Sequence, residues 1–149
     1  MTKPTILIVP GSFTTTTIYA PVVSLLRAQG YPALALELPS TQKRFPLEPA
    51  TMADDADVIK RAAETLIGQG RELVVVCHSY GGTPTTQGLA GVAGVKRIVY
   101  LSAAAPRKGE SHITAMELKE GMLPPISVSI TPTFLACGFS HRKYLYVTS

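Results

Sequence analysis

The chain has 149 residues, of which 46% are hydrophobic and 16% charged. This length and composition are typical of one globular domain and exclude an intrinsically disordered chain. No apolar run approaches the ~20 residues of a membrane-spanning helix, and the run over residues 6–9 is too short for a secretory signal. We therefore expect a cytoplasmic protein without a membrane partner.

The net charge of +4 comes from the last third of the chain. Residues 1–95 balance seven basic against seven acidic side chains, whereas residues 96–149 carry seven basic and three acidic ones. The basic residues form scattered pairs that are not interleaved with aromatic residues, so nucleic acid is not an expected partner. Cys77 and Cys137 lie in apolar runs without metal-ligand spacing, which indicates buried thiols and predicts no metal or other cofactor.

The first two thirds of the chain alternate between strand and helix patterns. The predicted strands cover residues 5–9, 33–38, 73–77 and 95–103. The predicted helices cover residues 18–29, 51–67 and 84–90. Because strands that alternate with helices of about a dozen residues form βαβ units, the pattern predicts a doubly wound, mostly parallel α/β sheet.

Local signals mark the ends of the predicted helices. Gly30 is placed to end the first helix in a left-handed conformation. Thr51 and Asp54 form a predicted capping box at the start of the second helix. Asp55 and Asp57 add negative charge to the first turn of that helix, where the helix dipole favours it. These signals support helical connections between the first three strands.

The pattern becomes less regular after residue 106. We expect a linker over residues 107–110 and a short helix over residues 112–120. A half-buried strand over residues 126–130, an apolar run over residues 133–137 and a final strand over residues 145–147 are expected to follow. We expect residues 1–149 to form a single domain.

The stretch from residue 73 to residue 86 combines a short apolar strand, a sharp turn and the start of a helix. Ser79 lies at the apex of the turn, and Gly81 provides a position without Cβ where the helix passes close to the strand. This geometry exposes a nucleophilic hydroxyl above a parallel sheet. The alternative is a strand-to-helix turn in which Ser79 only caps the helix.

Residues 77–82, Cys-His-Ser-Tyr-Gly-Gly, resemble the nucleophile elbow of the α/β-hydrolase superfamily, whose pattern is Gly-x-Ser-x-Gly. Cys77 stands where the first glycine of that pattern is expected. The resemblance covers residues 5–106 and, less closely, residues 132–138. It implies the spatial strand order second, first, third, fourth, and a segment after residue 106 that comprises a lid remnant and a late strand.

The resemblance implies a serine hydrolase that acts on a small carboxylic ester. Ser79 would be the nucleophile, in a sparsely populated backbone conformation. The oxyanion would be bound by the backbone N–H of Tyr80 together with that of Ser12 or Phe13. Gly11 would let the backbone turn toward this site. Cys77 would pack tightly against the helix that follows, because it fills part of the space of the expected glycine.

The same resemblance requires a histidine base and an acidic partner. His78 precedes Ser79 directly, so the two side chains diverge and His78 is expected to pack against the sheet. His112 is expected at the surface. His141 occupies the position of the triad acid, and no aspartate follows Asp57. The family places its catalytic histidine one strand later, so we expect the fold to be incomplete at its C-terminal end and this chain to hydrolyse esters poorly.

Two further functions stay open. The first is a non-catalytic small-molecule-binding protein that keeps the crevice and has lost the triad. The second is an anion site at the N-terminus of the helix after the Gly-rich turn, although no phosphate-binding glycine motif is present. In each case the expected partner is a small molecule, and the oligomeric state is not specified by the sequence.

Overall fold

The structure is a computed structural model that describes residues 3–115 and the backbone of residues 145–148. One sheet contains the strands β1 to β5, which span Thr5–Val9, Ala33–Ala35, Leu73–His78, Val95–Leu101 and Leu145–Thr148. The α-helices α1 to α4 span Ala20–Ala28, Met52–Gly68, Gly82–Gly88 and His112–Ala115. Three 3-10 turns span Thr16–Tyr19, Pro39–Thr41 and Ser79–Gly81.

The strands lie in the spatial order β2-β1-β3-β4-β5. The first four are parallel, and β5 runs antiparallel to β4. The predicted order of the first four strands and the mostly parallel α/β architecture are therefore confirmed. The register pairs Val9 of β1 with Cys77 of β3, which brings the carboxyl ends of the two central strands to the same edge of the sheet.

Several element boundaries differ from those predicted. Strand pairing of β2 ends at Ala35, although the Leu36 N–H still donates to the Ile8 carbonyl at 2.8 Å. Strand β4 ends at Leu101 because Ser102 adopts a φ of 45°, which interrupts the extended backbone. Helix α3 begins two residues earlier than predicted, and its Pro84 lies in the first turn, where a missing N–H leaves no helical hydrogen bond unmade.

The remaining predicted elements lie outside the described residues. They are the helix beyond Ala115, the strand over residues 126–130 and the apolar run over residues 133–137, which contains Cys137. Within the described parts of the chain, none of the helices has the length and hydropathy needed to cross a membrane.

The two faces of the sheet pack against different helices. Helices α2 and α3 cover one face, whose buried core is formed by Leu7, Val9, Leu38, Ile59, Ala63, Leu73, Val75, Cys77, Leu89, Tyr100 and Ala103. Helix α1 covers the other face, whose smaller buried core is formed by Ile6, Ile8, Val23 and Ala33. Because β1 is buried along its whole length, the carboxyl end of this central strand is held firmly in place.

The capping box and the end of the first helix at Gly30 are confirmed, and Asp55 lies in the first turn of α2 as predicted, whereas Asp57 lies beyond it. The Thr51 N–H donates to Asp54 Oδ2 at 2.7 Å, and the Asp54 N–H donates to Thr51 Oγ1 at 3.3 Å, which completes the capping box. The hydrogen bond from the Thr51 backbone, and after it the one from the Thr51 hydroxyl to Asp54 Oδ2 at 2.8 Å, hold the pKa of the Asp54 carboxyl below its usual value. Gly30 follows α1 with a φ of 81° and donates its N–H to the Arg27 carbonyl at 2.8 Å.

Helices α2 and α3 approach each other closely where α3 ends. A Cβ at Gly88 would collide with the Ala56 carbonyl oxygen, whereas a Cβ at Gly68, the last residue of α2, would meet no atom within 4 Å. The absence of a side chain at Gly88 is therefore a packing requirement, and the glycine at position 68 is not.

We expect Gly88→Ala to reduce the free energy of unfolding by about 1–3 kcal/mol, because overpacking forces neighbouring backbone apart. The matched variant Gly68→Ala should raise it by about 0.4–1 kcal/mol, since it reduces the freedom of the unfolded chain without a clash. Urea unfolding followed by circular dichroism measures both. Equal effects of the two variants would contradict the close approach of α2 and α3.

Candidate active site

Ser79 lies at the turn between β3 and α3. His78 is still extended, with φ −113° and ψ 133°, and Gly81 is already helical, with φ −53° and ψ −20°. Between them, Ser79 adopts a φ of 52°, a left-handed conformation that costs a non-glycine residue on the order of 1–3 kcal/mol. The predicted unusual backbone at Ser79 is confirmed.

Close backbone contacts hold this turn. A Cβ at Gly81 would collide with the carbonyl oxygens of Val9 and Pro10, at the end of β1, and a Cβ at Gly82 would collide with the Ala104 carbonyl oxygen. The Ala104 N–H also donates to the Ser79 carbonyl at 3.3 Å. The turn is thus clamped between the chain that leaves β1 and the chain that leaves β4, which maintains the strained conformation.

Cys77 packs as predicted. Its side chain is fully buried, its thiol donates to the Val99 carbonyl at 3.5 Å, and it borders the Thr85 hydroxyl of α3. Burial raises the pKa of the Cys77 thiol to about 12. Because the thiolate is the reactive form of cysteine, Cys77 is an inert structural residue at the base of the turn.

The loop after β1, residues 10–14, lies against the Ser79 turn. A Cβ at Gly11 would stand 3.1 Å from Ser79 Cβ, so the backbone approaches the turn as the sequence predicted. The Gly11 carbonyl accepts from Thr14 Oγ1 at 2.7 Å. Phe13 has a φ of 56°, and 90% of its surface is exposed. The structure therefore brings together Ser79, Tyr80 and the loop that contains Ser12 and Phe13.

His78 contacts Tyr19, as expected for a packing residue. Its Nδ1 lies 2.8 Å from the Tyr19 hydroxyl oxygen, and the two rings meet edge to face with centroids 6.1 Å apart. Burial lowers the pKa of His78, which favours the neutral ring. With Nδ1 engaged by Tyr19, His78 does not form the hydrogen bond with Ser79 that a general base requires.

The prediction that His112 lies at the surface is wrong. Its ring is half-buried, its Nδ1 lies 2.6 Å from Thr83 Oγ1, and it meets the Tyr80 ring edge to face at 5.8 Å. Burial lowers its pKa. The segment after β4 folds back over the start of α3 because Ala103 and Ala104 are small and buried, and this brings His112 beside the turn.

Asp55 has a second role besides its predicted place in the first turn of α2. It is fully buried and accepts hydrogen bonds from the Ser40 N–H at 2.9 Å, the Ser40 hydroxyl at 2.6 Å and the Tyr80 hydroxyl at 2.8 Å. Burial and the neighbouring Asp55 raise the pKa of Tyr80. The signal was available in the sequence, because Asp55 lies four residues before the buried Ile59, on the same face of α2.

In the part of the site that the structure describes, no histidine is hydrogen-bonded to Ser79. Neither His78 nor His112 forms a hydrogen bond with Ser79, and His141 lies outside the described residues. Residues 3–115 also contain no group of three or more His, Cys, Asp or Glu side chains that could hold a metal ion.

Residues 6–146 match the model of the alpha/beta hydrolase family. The chain belongs to this family. The match extends from the first strand through the last described one, and it includes the strand-to-helix turn that carries Ser79.

Two curated fungal proteins are similar in sequence. The "Probable hydrolase R7" of Phoma sp. is 60% identical over 126 residues, which are 83% of this chain and 52% of that protein. The "Alpha/beta hydrolase nvfD" of Aspergillus novofumigatus is 34% identical over 126 residues, which are 78% of this chain and 50% of that protein. The chain therefore spans about half the length of the curated relatives it matches.

Two solved structures share the fold. An extracellular alpha/beta-hydrolase from a Paenibacillus species, described as sharing structural and functional homology with Tobacco Salicylic Acid Binding Protein 2, aligns with a TM-score of 0.59 at 21% identity over 70% of this chain and 42% of that one. The mature lipase BlEst2 of Bacillus licheniformis aligns with a TM-score of 0.51 at 21% identity, over 65% of this chain and 39% of that one. At this identity the likeness concerns the fold.

We expect the stability of the protein to fall between about pH 9 and pH 12 because of Cys77. Its folded pKa is raised to about 12 from an ordinary value of 9.0, so across this interval the unfolded thiol loses a proton that the folded thiol keeps. Each pH unit should then reduce the free energy of unfolding by about 1.4 kcal/mol. Urea unfolding as a function of pH, with Cys77→Ala as control, measures this slope. The same slope in both proteins would refute the assignment.

Tyr80→Phe should lower the free energy of unfolding by about 1–3 kcal/mol, because it removes one of the three donors to the buried Asp55 carboxyl group. Tyr31→Phe is the matched control, since the Tyr31 hydroxyl has no side-chain hydrogen-bond partner among the described residues. Chemical denaturation measures both variants. An unchanged stability of Tyr80→Phe would show that this network contributes nothing to the fold.

Proposed function

We propose that this protein is a serine hydrolase that cleaves a small carboxylic ester, with Ser79 as its nucleophile. The observation that carries the proposal is the left-handed backbone of Ser79 at a strand-to-helix turn, with a φ of 52°. Strain of this kind persists only where the surrounding structure enforces it, and it is concentrated at functional sites. A serine that only capped a helix would adopt an ordinary extended backbone.

The proposed reaction follows the geometry of the turn. Ser79 Oγ attacks the carbonyl carbon of the ester and loses its proton to a base, and the carbonyl oxygen becomes an oxyanion. The backbone N–H of Tyr80 and that of Ser12 or Phe13 donate to this oxyanion. The base returns the proton to the departing alcohol, which leaves an acyl group on Ser79. Water then attacks the acyl carbon, the acid is released and Ser79 recovers its proton.

The rim of the site suits an uncharged, apolar ester. Large apolar side chains are exposed on the chain segments that follow β1, β2 and β4, namely Phe13, Phe45, Leu47 and Ile113. The carboxyl ends of parallel strands meet at one edge of the sheet, and ligands of doubly wound sheets bind there. The two fungal relatives, both named as hydrolases, support the reaction class.

A second candidate is a small-molecule-binding protein without catalytic activity. It is favoured by the engagement of His78 with Tyr19 and of His112 with Thr83, because neither of these histidines is then free to accept the Ser79 proton.

We expect the 149-residue chain to hydrolyse p-nitrophenyl acetate slowly, because catalysis without a positioned base retains only about 10³–10⁴-fold acceleration over water. A fluorophosphonate should nevertheless modify Ser79, as mass spectrometry of the labelled peptide would show. Ser79→Ala should abolish the labelling. Ser102→Ala is the matched control, since Ser102 also has a positive φ at a strand end, with a value of 45°.

The variant His141→Ala completes this experiment. Robust turnover that is lost in both Ser79→Ala and His141→Ala would make His141 the base and overturn the expectation of slow hydrolysis. Turnover and labelling that are equal in the wild type and in Ser79→Ala would exclude Ser79 as the nucleophile and favour the binding protein.

A further inference from the structure

A chain of hydrogen bonds joins three separate parts of the fold beside Ser79. The Gly11 N–H donates to the Tyr19 hydroxyl oxygen at 3.0 Å, and this oxygen lies 2.8 Å from His78 Nδ1. Gly11 belongs to the loop after β1, Tyr19 ends the turn before α1, and His78 is the last residue of β3. The phenol of Tyr19 therefore links the loop after β1 to the residue that precedes Ser79.

The direction of these bonds follows from the chemistry of the three groups. A backbone N–H can only donate, so the Tyr19 oxygen accepts from Gly11. Its single proton can be donated to His78 Nδ1 when that nitrogen carries no proton. In this arrangement the neutral His78 ring has its proton on Nε2. The opposite tautomer would leave the Tyr19 O–H without an acceptor among residues 3–115, and burial already favours the neutral ring.

The same bonds decide which N–H groups remain available in the loop. The Gly11 N–H is occupied by Tyr19, and the Gly11 carbonyl is occupied by Thr14 Oγ1 at 2.7 Å. The peptide groups on both sides of Gly11 are thus fixed close to the Ser79 turn. A Cβ placed on Gly11 would lie 3.1 Å from Ser79 Cβ. The N–H groups of Ser12 and Phe13 are the next along the loop.

We propose that Tyr19 is a positioning residue that fixes the loop after β1 against the Ser79 turn and holds His78 as its Nε2–H tautomer. The part of the proposal in which this loop donates a backbone N–H to the oxyanion rests on the proposed serine hydrolase function. The position of the loop and the state of His78 do not depend on that function.

Tyr19 also packs against the core on the α1 side of the sheet, so a purely structural role is the alternative to be tested. Tyr19→Phe separates the two roles, because it keeps the ring and removes both hydrogen bonds. Tyr31→Phe is the matched control. Tyr31 packs against the same core, and its ring centroid lies 4.3 Å from Lys3 Nζ. Its hydroxyl makes no side-chain hydrogen bond within the described residues.

The first measurement is nuclear magnetic resonance of the full chain at neutral pH. Long-range ¹H–¹⁵N spectra, with the His78 signals assigned by His78→Gln, should show a protonated Nε2 and an unprotonated Nδ1. Exchange of the Gly11 amide hydrogen should be about tenfold faster in Tyr19→Phe, which is the factor expected for one lost hydrogen bond, and unchanged in Tyr31→Phe. A proton on His78 Nδ1, or equal Gly11 exchange in wild type and Tyr19→Phe, would overturn the proposal.

The second measurement is the rate at which a fluorophosphonate modifies Ser79. This rate should fall about tenfold in Tyr19→Phe, at a melting temperature close to that of Tyr31→Phe, whose labelling rate should match the wild type. Equal labelling rates in the wild type and Tyr19→Phe would exclude a positioning role in the reaction. Absence of labelling in all three proteins would instead count against the serine hydrolase function, and the magnetic resonance result alone would then decide the role of Tyr19.

Discussion

The left-handed backbone of Ser79 is the constraint on which the arrangement of the site depends. A free chain disfavours this conformation by on the order of 1–3 kcal/mol. The fold enforces it because β3 is central in the sheet and because Gly81 and Gly82 let α3 begin in contact with the backbone that leaves β1 and β4. A side chain at either glycine would separate these segments, so the turn and the two neighbouring strand ends form one unit.

Two polar networks flank this unit on opposite faces of the sheet. On the face of α2 and α3, the buried Asp55 joins Ser40 to the hydroxyl of Tyr80. On the face of α1, Tyr19 joins Gly11 to His78. Hydrogen bonds between side chains in partly buried surroundings favour one arrangement, since another would leave their groups unpaired. The residues on both sides of Ser79 are therefore held by side chains from distant parts of the chain.

The residues around Ser79 lie within the part of the chain that matches the family model. Members of the alpha/beta hydrolase family are matched over residues 6–146, and the carboxyl edge of the described sheet gathers Ser79, Tyr80 and the loop with Ser12 and Phe13. His112 joins this edge from the segment after β4 by bonding to Thr83. The edge thus gathers the strained Ser79, its neighbour Tyr80, the half-buried His112 and the loop after β1.

The sequence by itself determined the capping box at Thr51 and the position of the strained serine, whereas the order of the first four strands was implied by the resemblance to the α/β-hydrolase superfamily. The capping box and the strained turn depend on local patterns, a Thr-x-x-Asp spacing and a glycine-rich turn, that act within a few residues of the chain. The end of β4 was less predictable, because the left-handed Ser102 is followed by three alanines that continue the apolar pattern to Ala105.

Only the tertiary structure decided the hydrogen-bond partners of Asp55, His78 and His112. Asp55 and Tyr80 lie 25 residues apart in sequence, Tyr19 and His78 lie 59 apart, and Thr83 and His112 lie 29 apart. These pairs meet only when the register of β1 with β3 and the return of the chain after β4 have placed them side by side. A hydrogen bond between distant residues leaves no periodic trace in the sequence, so its partners become visible only in the folded chain.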